Sequence, residues 1–295
     1  MVGRKWWMGY VFLVPWLVGL LWFTVGPMAV SLYYSFTDYS LLQAPKWVGT
    51  ANYERMAVDT RFVASSIVTL KYVALSVPIE LVASLGLAMV LNRGIKALAL
   101  YRAVFYVPSL LGGSVAIAIL WRQVFGPGGL FDEGLRALGI QIPALISNPD
   151  TALLTLVALR VWQFGAPMLI FLAALRQIPN DLLEAAEMDG AGPLRRFLFV
   201  TLPLLTPIVF FNLVLQVIGS FQAFTPAYII SGGSGGPNDS TLFYTLYLYQ
   251  RAFANFQMGY GAALAWVLLI VIGLFTLANF LVGKYWVYYE DGSRA

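Results

Sequence analysis

Long apolar runs are the feature that most restricts how this chain can fold. A helix needs about 20 predominantly apolar residues to cross the hydrocarbon core of a bilayer. Six stretches meet this length, at roughly 10–34, 67–91, 103–121, 152–175, 204–230 and 262–282. Membrane-spanning β-strands would instead alternate apolar and polar residues. The sequence therefore predicts an all-α membrane protein with six transmembrane helices.

The composition supports the same class and argues against several functions. Only 11% of the 295 residues are charged, whereas a typical soluble domain carries about 25%. The chain contains no cysteine and no histidine. It therefore lacks thiolate and imidazole metal ligands and the usual acid–base group near neutral pH. We expect no metal site, and a membrane-embedded enzyme is only a distant alternative.

The positions of Lys and Arg predict the orientation of the spans. With six spans, the two termini share a side with the second and fourth loops. That side carries the denser group of basic residues, which are Arg4, Lys5, Arg93, Lys96, Arg102, Arg176, Arg195, Arg196, Lys284 and Arg294. Basic residues concentrate on the cytoplasmic side of membrane proteins, so we expect both termini to be cytoplasmic. This topology also explains the net charge of +4 without a nucleic-acid partner.

The fourth loop, residues 180–203, holds the densest cluster of charge and reads NDLLEAAEMDGAGPLRRFLFVTLP. Asp181 and Glu184 have the spacing of a capping box at the start of a helix. We expect a short helix over about 182–189. Gly190 stands where a left-handed residue would end that helix.

One face of the predicted short helix combines charge with small side chains. Glu184 and Glu187 are three residues apart and share a face, while Ala185 and Ala186 would let another surface approach the backbone closely. The helix could be an amphipathic connector lying on the membrane. It could also be a docking helix for a soluble partner on the cytoplasmic side, which the exposed carboxylates and small residues favour.

The segment EAAEMDGAGPLRRFLFVTLP resembles the EAA loop in permease subunits of bacterial ATP-binding-cassette (ABC) importers. Both contain Glu-Ala-Ala, then Asp-Gly-Ala, a Phe further on and a closing Leu-Pro. The resemblance implies a type I ABC importer transmembrane domain, in which this loop forms a coupling helix that inserts into a cleft of the ATPase subunit. The residues expected to couple to the ATPase are Glu184, Ala185, Ala186, Glu187, Asp189, Gly190 and Ala191.

A second segment, residues 235–266, is similar to the stretch before the last helix in sugar-importing permeases of the maltose and glycerol-phosphate type. It reads GGPNDSTLFYTLYLYQRAFANFQMGYGAALAW. Together with the opening segment VPWLVGLLWFTVGPMAVSLYYSFTDY, the resemblance covers nearly the whole chain. It implies a single permease domain over residues 1–295, with a core at about 63–283, that transports a sugar, preferably an oligosaccharide.

The resemblance also implies the partners and the cellular location. The partners are a second permease subunit of similar fold, two ATPase subunits and an extracytoplasmic sugar-binding protein, assembled in the bacterial inner membrane. The Gly-rich segment 231–237 lacks the Gly-Lys-Ser/Thr ending of a phosphate-binding loop. We therefore expect ATP and Mg to be bound by the ATPase, with no cofactor and no ATP hydrolysis in this chain.

Polar residues within the spans are candidates for the substrate pathway, because such residues are costly in lipid and usually face a cavity or another helix. Asn212, Gln216 and Ser220 recur every four residues along the fifth span. This spacing places them on one helical face. Glu80, in the second span, is the only acidic residue deep in an apolar run.

In maltose-type permeases the spans on either side of the coupling loop line the sugar path. The residues at matching positions are Trp162, Gln163, Gln216, Gly219 and Ser220. Alternatively, these groups hydrogen-bond to neighbouring helices, as is common in membrane helix bundles. Two other transport classes also fit: an ABC permease for another solute, and an ion-gradient-driven transporter that would use Glu80.

Overall fold

The computed structural model describes residues 6–94, 96–140 and 143–288, with side chains from residue 10 onward. Arg4, Lys5 and Arg294, on which part of the predicted orientation rests, lie outside the described residues. The regular structure of the described residues is helical except for one small β-hairpin, as predicted. Helices are the expected solution in lipid, because each one satisfies its own backbone hydrogen bonds.

The elements follow one another along the chain in a simple order. The first are α1 (Trp6–Leu20), a π-helical turn (Leu21–Val25), α2 (Gly26–Ser35), β1 (Thr37–Ser40), β2 (Gln43–Trp47) and α3 (Ala51–Val58). Next come α4 (Thr60–Leu91), α5 (Leu98–Leu111), α6 (Val115–Phe125), α7 (Leu130–Ala137), α8 (Pro149–Trp162) and α9 (Gly165–Leu175). The last are α10 (Asn180–Met188), α11 (Pro193–Arg196), a second π-helical turn (Phe197–Thr201), α12 (Leu202–Phe221), α13 (Thr225–Ile230), a 3-10 turn (Pro237–Asp239), α14 (Tyr244–Tyr249), a third π-helical turn (Gln250–Ala254) and α15 (Met258–Trp286).

Most of the predicted spans are confirmed by the lengths of the helices. Within the described residues, four helical segments are long and apolar enough to cross a membrane: Tyr10–Ser35, Thr60–Leu91, Pro193–Ile230 and Met258–Trp286. They contain the predicted first, second, fifth and sixth spans. Two further pairs of helices reach this length when each bent pair is counted as one span, which brings the number to six.

The third span, predicted at roughly 103–121, is broken into two helices. The chain bends by 93° between α5 and the helical segment that starts at α6. α5 contains Pro108 and ends immediately before Gly112. Ser114 then starts a new helix, because its side chain accepts a hydrogen bond from the Ile117 N–H at 3.3 Å and so caps a free donor.

The fourth span is also bent, by 43° between α8 and α9. Ser109 of α5 satisfies the backbone at this break: its hydroxyl donates to the Gln163 carbonyl at 2.7 Å and accepts from the Ala166 N–H at 2.8 Å. Gly165 allows the close approach that this requires. A β-carbon at Gly165 would lie 2.2 Å from the Phe105 carbonyl oxygen. The two helices of the fourth span are therefore fixed against α5.

The structure comprises two compact units. The described residues up to Thr60, together with Leu248–Ile270, form the first unit. Arg61–Tyr247, together with the described residues from Val271 onward, form the second. α15 therefore contributes residues to both units.

In the first unit, one buried amide holds the β-hairpin to the end of α2. The Asn52 side chain donates to the carbonyls of Ser35 and Thr37, both at 2.9 Å. β1 and β2 pair antiparallel, with Thr37 opposite Trp47. Gly259, near the start of α15, packs directly on β1, since a β-carbon there would lie 2.0 Å from the Thr37 carbonyl oxygen. The hairpin is thus anchored on both sides.

In the second unit, the buried apolar core is formed by α4, α9 and α12. Its members are Ala88, Leu91, Met168, Phe171, Leu172, Leu175 and Leu205. Many apolar side chains of the same unit remain exposed, including Val82, Phe211 and Leu274. Helices whose apolar residues cover both a core face and an exposed face are typical of a protein in lipid, where the exposed face contacts hydrocarbon.

Replacement of Gly165 by alanine tests the packing at the bend in the fourth span. The added methyl group would overlap a backbone carbonyl, and overpacking of this kind costs about 1–3 kcal/mol. We expect Gly165→Ala to lower the midpoint of thermal unfolding of the detergent-purified chain by several degrees.

Gly86→Ala provides the control, because a β-carbon at this helical position meets nothing within 4 Å. Its unfolding midpoint should not fall, since alanine favours helix over glycine. Equal midpoints for the two variants would contradict the close approach of α5 to Gly165.

Candidate functional site

The charged loop between the fourth and fifth spans contains two short helices, α10 and α11, joined by a turn. α10 starts at Asn180, two residues earlier than predicted, and the predicted capping box is wrong. The N-cap residue is Pro179, and no side chain caps the helix. Asp181 instead lies within the first turn, where a negative charge interacts favourably with the positive end of the helix dipole.

The end of α10 is confirmed as predicted. Gly190 has a φ of +78°, in the left-handed region. The Ala191 N–H donates to the Ala186 carbonyl and the Gly190 N–H donates to the Glu187 carbonyl, both at 2.9 Å. This pair of hydrogen bonds is the Schellman motif, which ends a helix and fixes the direction of the following chain.

α10 presents one face to the protein and another to solvent. Leu183 and Ala186 are partly buried, and Leu183 lines a cavity of about 310 Å³ beside the ends of α4 and α9. Glu184, Ala185 and Met188 form the exposed face, and Met188 is 88% exposed. Exposed methionine is frequent at surfaces that bind partner proteins, because its flexible side chain adapts to different contacts.

Glu187 makes a contact that Glu184 does not make, although the two share a predicted face. The Glu187 carboxylate pairs with the Arg196 guanidinium at 2.5 Å. Arg196 is the last residue of α11, which continues through a π-helical turn into α12. The ion pair therefore ties the short helix to the beginning of the fifth span, whereas Glu184 remains exposed.

The second group of polar residues lies inside the spans and is centred on Arg160. The Arg160 Nε donates to the Glu80 Oε2 at 2.9 Å. The Arg160 Nη2 donates to the Gln216 Oε1. This network, Glu80–Arg160–Gln216, joins α4, α8 and α12. The side chain of Glu80 is 2% exposed and that of Arg160 is 22% exposed, so the guanidinium reaches the edge of the buried region.

Sequence reasoning missed the role of Arg160. The signal that could have found it is the presence of two opposite charges within the spans, because a charge in lipid is expected to have a partner. Because Glu80 and Arg160 are 80 residues apart in the sequence, their spacing alone does not indicate that they form a pair.

The remaining pathway candidates divide into two groups. Gly219 lies beside the network, because a β-carbon there would be 3.4 Å from the Arg160 Nη2. Asn212 donates to the Ile208 carbonyl of its own helix at 3.1 Å. Ser220 is 1% exposed, and within the part of the chain that the structure describes its buried hydroxyl has no hydrogen-bond partner.

Trp162 and Gln163 lie at the bend between α8 and α9 instead. The ring of Trp162 is 6.2 Å from that of Trp121 in α6. The Gln163 side chain donates to the Leu159 carbonyl at 3.1 Å and packs against Gly112, where a β-carbon would lie 2.2 Å from its Cγ. Both side chains therefore contact the broken third span.

Known proteins identify the family of the chain. Residues 60–285 match the family described as "Binding-protein-dependent transport system inner membrane component". The match covers most of the chain, and the chain therefore belongs to this family of inner-membrane permeases. The predicted resemblance to ABC importer permeases is confirmed.

ATP hydrolysis in such importers belongs to a separate subunit. The described residues contain no group of three or more acidic, His or Cys side chains that could hold a metal ion.

Two relatives are similar over nearly their full lengths. The chain is 53% identical over 285 residues to the "Probable ABC transporter permease protein YesP" of Bacillus subtilis (strain 168), which covers 96% of this chain and 92% of the relative. It is 31% identical over 270 residues to the "Probable starch degradation products transport system permease protein AmyD" of Thermoanaerobacterium thermosulfurigenes, which covers 91% of each.

A solved structure confirms the predicted fold. It is the crystal structure of a bacterial ABC transporter involved in the import of the acidic polysaccharide alginate. The TM-score is 0.78 at 19% sequence identity, with 96% of this chain and 97% of that chain covered. The chain therefore has the fold of the transmembrane subunit of an ABC importer.

A double-mutant cycle tests whether Glu80 and Arg160 stabilise each other. Removing one partner of a buried ion pair leaves an uncompensated charge and costs about 3–5 kcal/mol. We expect Glu80→Leu and Arg160→Met each to lower the unfolding midpoint of the detergent-purified chain strongly. The double variant should recover most of the loss, because the two effects are coupled.

Asn279→Ala is the control, because Asn279 is only partly buried and its side chain donates to the Phe275 carbonyl of its own helix. It should leave the unfolding midpoint nearly unchanged. Additive losses in the double variant would show that the two charges act independently, against the observed geometry.

Proposed function

We propose that this chain is the permease subunit of an ATP-driven importer of a sugar, with an oligosaccharide as the preferred cargo. In this proposal residues 1–295 act as one permease domain that forms half of the translocation pathway. The observation that most supports this proposal is the geometry of α10. This helix is short, exposed on one face and joined to the fifth span by an ion pair. Membership in a family of binding-protein-dependent permeases supports the transport class. The relative whose cargo is described as starch degradation products supports the sugar assignment.

The exposed face of α10 suits a cleft on an ATPase subunit. Glu184 offers a carboxylate, Ala185 offers close approach to the backbone, and Met188 offers a flexible apolar contact. Polar and apolar groups on one short element are what a specific protein interface requires. Asp189, Gly190 and Ala191 form the turn that orients this face. The alternative of a connector lying on the membrane gives no reason for a carboxylate within the apolar face.

The contacts of α10 provide a route for movement from the ATPase to the spans. The Schellman turn and the Glu187–Arg196 ion pair hold α10 to α11. α11 continues through helical structure into α12, which carries Gln216. Gln216 in turn accepts a hydrogen bond from Arg160. Displacement of α10 would thus be transmitted along α12 to the network that joins it to α4 and α8.

The same proposal assigns the partners and the orientation. The chain would pair with a second permease of similar fold, two ATPase subunits that bind ATP and Mg, and an extracytoplasmic sugar-binding protein. Both termini and α10 would lie in the cytoplasm. The basic residues Arg176, Arg195 and Arg196 beside α10 support this side, because positive charge concentrates on the cytoplasmic face.

The substrate pathway is proposed to follow the polar face of the fourth and fifth spans. It comprises Trp162, Gln163, Asn212, Gln216, Gly219, Ser220 and Glu80. Arg160 joins this set, because its guanidinium is partly exposed while its charge is neutralised by Glu80. A neutralised arginine can donate hydrogen bonds to a hydroxyl-rich cargo without attracting a bare ion. The hydroxyl of Ser220 is a further candidate, because it bonds to no other group of the described residues.

The two alternative transport classes are less well supported. An ion-gradient-driven transporter would use Glu80 as an ion-binding group, but this carboxylate is already paired with Arg160. A permease for another solute would share the coupling helix, so the cargo alone separates it from the favoured function.

Reversal of the charge at Glu184 tests the coupling role. A like charge placed in a partner's groove costs several kcal/mol, and about 1.4 kcal/mol corresponds to a tenfold change in affinity. We expect Glu184→Lys to lower ATP-driven uptake and copurification of the ATPase at least tenfold, with normal insertion of the permease into the membrane.

Glu133→Lys is the matched control, because it makes the same charge change on an exposed helical residue of α7, away from the charged loop. Uptake by this variant should stay close to that of the unmodified chain. Normal ATP-driven uptake by Glu184→Lys would rule out α10 as the docking element.

A further inference from the structure

A large cavity lies at the end of the second unit that is opposite to α10. α8 and α9 lead toward the charged loop, and α12 and α13 lead away from it. The segments before α8 and after α13 therefore share the far end of the unit. A cavity of about 940 Å³ opens there between α6, the loop that follows α6, residues 146–147 and the chain after Ile230.

One wall of this cavity is a preformed glycine-rich loop, residues 231–239. Gly235 and Gly236 both have positive φ values, +99° and +74°. The Arg61 guanidinium holds the end of the loop through two hydrogen bonds to the Asp239 carboxylate, at 2.8 and 3.1 Å. This bidentate contact fixes the loop in one orientation. The wall is therefore built into the fold.

The lining of the cavity is rich in hydrogen-bonding groups. The polar side chains that face it are Arg122, Gln123, Ser147, Ser231, Ser234 and Thr241. Among the described residues that line it there is no Asp or Glu. The cavity thus offers hydroxyl and amide groups and one positive charge, whereas it offers no carboxylate that could hold a metal ion or an amine.

Thr241 gives an independent sign that the cavity is incomplete without a ligand. The residue is 1% exposed, and its hydroxyl has no hydrogen-bond partner among the described residues. Gly236 leaves room for this hydroxyl, because a β-carbon there would lie 2.4 Å from the Thr241 Oγ1. An unsatisfied buried hydroxyl costs about 1–3 kcal/mol, so a hydroxylated ligand would restore a lost interaction.

Arg122 is the charged group available to such a ligand. Its Nη1 makes a long contact of 3.4 Å with the Ile229 carbonyl, and the side chain is exposed. No ion pair to Arg122 exists within the part of the chain that the structure describes. A guanidinium presents several N–H donors in a fixed plane and suits a pair of neighbouring oxygen atoms.

We propose that this cavity is an outer saccharide-binding subsite, separate from the Glu80–Arg160–Gln216 network within the spans. The proposal rests on the proposed function of the chain as a sugar permease. Arg122 donates to two neighbouring oxygen atoms of a sugar unit, and Thr241 and Ser147 exchange hydrogen bonds with its hydroxyl groups. The volume is at the upper end of the range of about 300–1,000 Å³ that small-molecule pockets occupy. A saccharide would occupy this subsite before it reaches the spans.

The absence of native cysteine allows a direct test by labelling. Ser147→Cys places one thiol in the cavity of the complete transporter, assembled with its second permease and ATPase in lipid nanodiscs. The rate of its reaction with a maleimide is measured first without the binding protein and then, as a separate arm, with it. The probe is taken from a panel of oligosaccharides that includes maltotriose and an alginate trisaccharide, and it is the member that the unmodified transporter takes up.

We expect the probe to slow the labelling of Ser147→Cys at least fivefold. Arg122→Gln, added to Ser147→Cys, should raise the half-protecting probe concentration at least tenfold. Thr241→Val removes the hydroxyl and nearly preserves the shape of the side chain. Added to Ser147→Cys, it should also raise the half-protecting probe concentration. Lys71→Gln is the control, because Lys71 is exposed in α4 and does not line the cavity. It should leave the protection unchanged.

The outcomes separate this proposal from the proposed function. A probe that is taken up but does not slow the labelling overturns the subsite and leaves the sugar-permease function standing. Labelling that is slowed only by the binding protein also overturns it, and identifies the cavity as a protein-docking surface. If no saccharide in a broad panel is taken up, the proposed function itself fails, and the subsite fails with it.

Discussion

The arrangement of the spans depends on the neutralisation of one charge inside the membrane. A charged side chain at the centre of a helix in lipid costs about 2.5–3.5 kcal/mol even on insertion scales that include local relaxation. Arg160 avoids an isolated position by pairing with Glu80 and by donating to Gln216. These three residues come from α4, α8 and α12. Because Glu80 and Gln216 both contact the Arg160 guanidinium, the network restricts how far the three helices can slide along one another.

The same constraint connects the spans to the candidate coupling helix. α12 carries Gln216 near its end, while its beginning is joined to α11 and, through the Glu187–Arg196 ion pair, to α10. A rigid helix with a fixed contact at each end transmits displacement more directly than a flexible loop would. The Schellman turn at Gly190 adds to this rigidity, since it leaves few free dihedral angles between α10 and α11.

Much of the fold could be predicted from the sequence, because a long apolar run can be recognised as a span without information about the helices that pack against it. The second and sixth spans are such cases, and the left-handed residue Gly190 followed from local turn chemistry alone. The break in the third span was missed because Pro108 and Gly112 are tolerated in many membrane helices. The broken third span is held against the fourth by the hydrogen bonds of Ser109 in α5 and by the close approach of α5 to Gly165 in α9.

The site was predictable to a similar extent. Glu184 and its neighbours were found because they form a continuous motif, while the capping box failed because the helix starts at Asn180, with Pro179 as its N-cap, and Asp181 lies inside its first turn. Glu80 and Gln216 were selected as polar residues in apolar runs. Their common partner, Arg160, could not be assigned by spacing, since the contact joins residues 80 and 56 positions apart. Such pairings become visible only when the helices are packed.

Uptake into proteoliposomes tests whether the chain belongs to an ATP-driven importer of sugar that depends on a binding protein. The chain would be reconstituted with its second permease and ATPase, and labelled sugar and the binding protein would be added on the side opposite to the ATPase. We expect sugar to accumulate only when ATP is present on the ATPase side and the binding protein on the other, and we expect a proton ionophore to have no effect. Accumulation without ATP that the ionophore abolishes would contradict this expectation and indicate a transporter driven by an ion gradient.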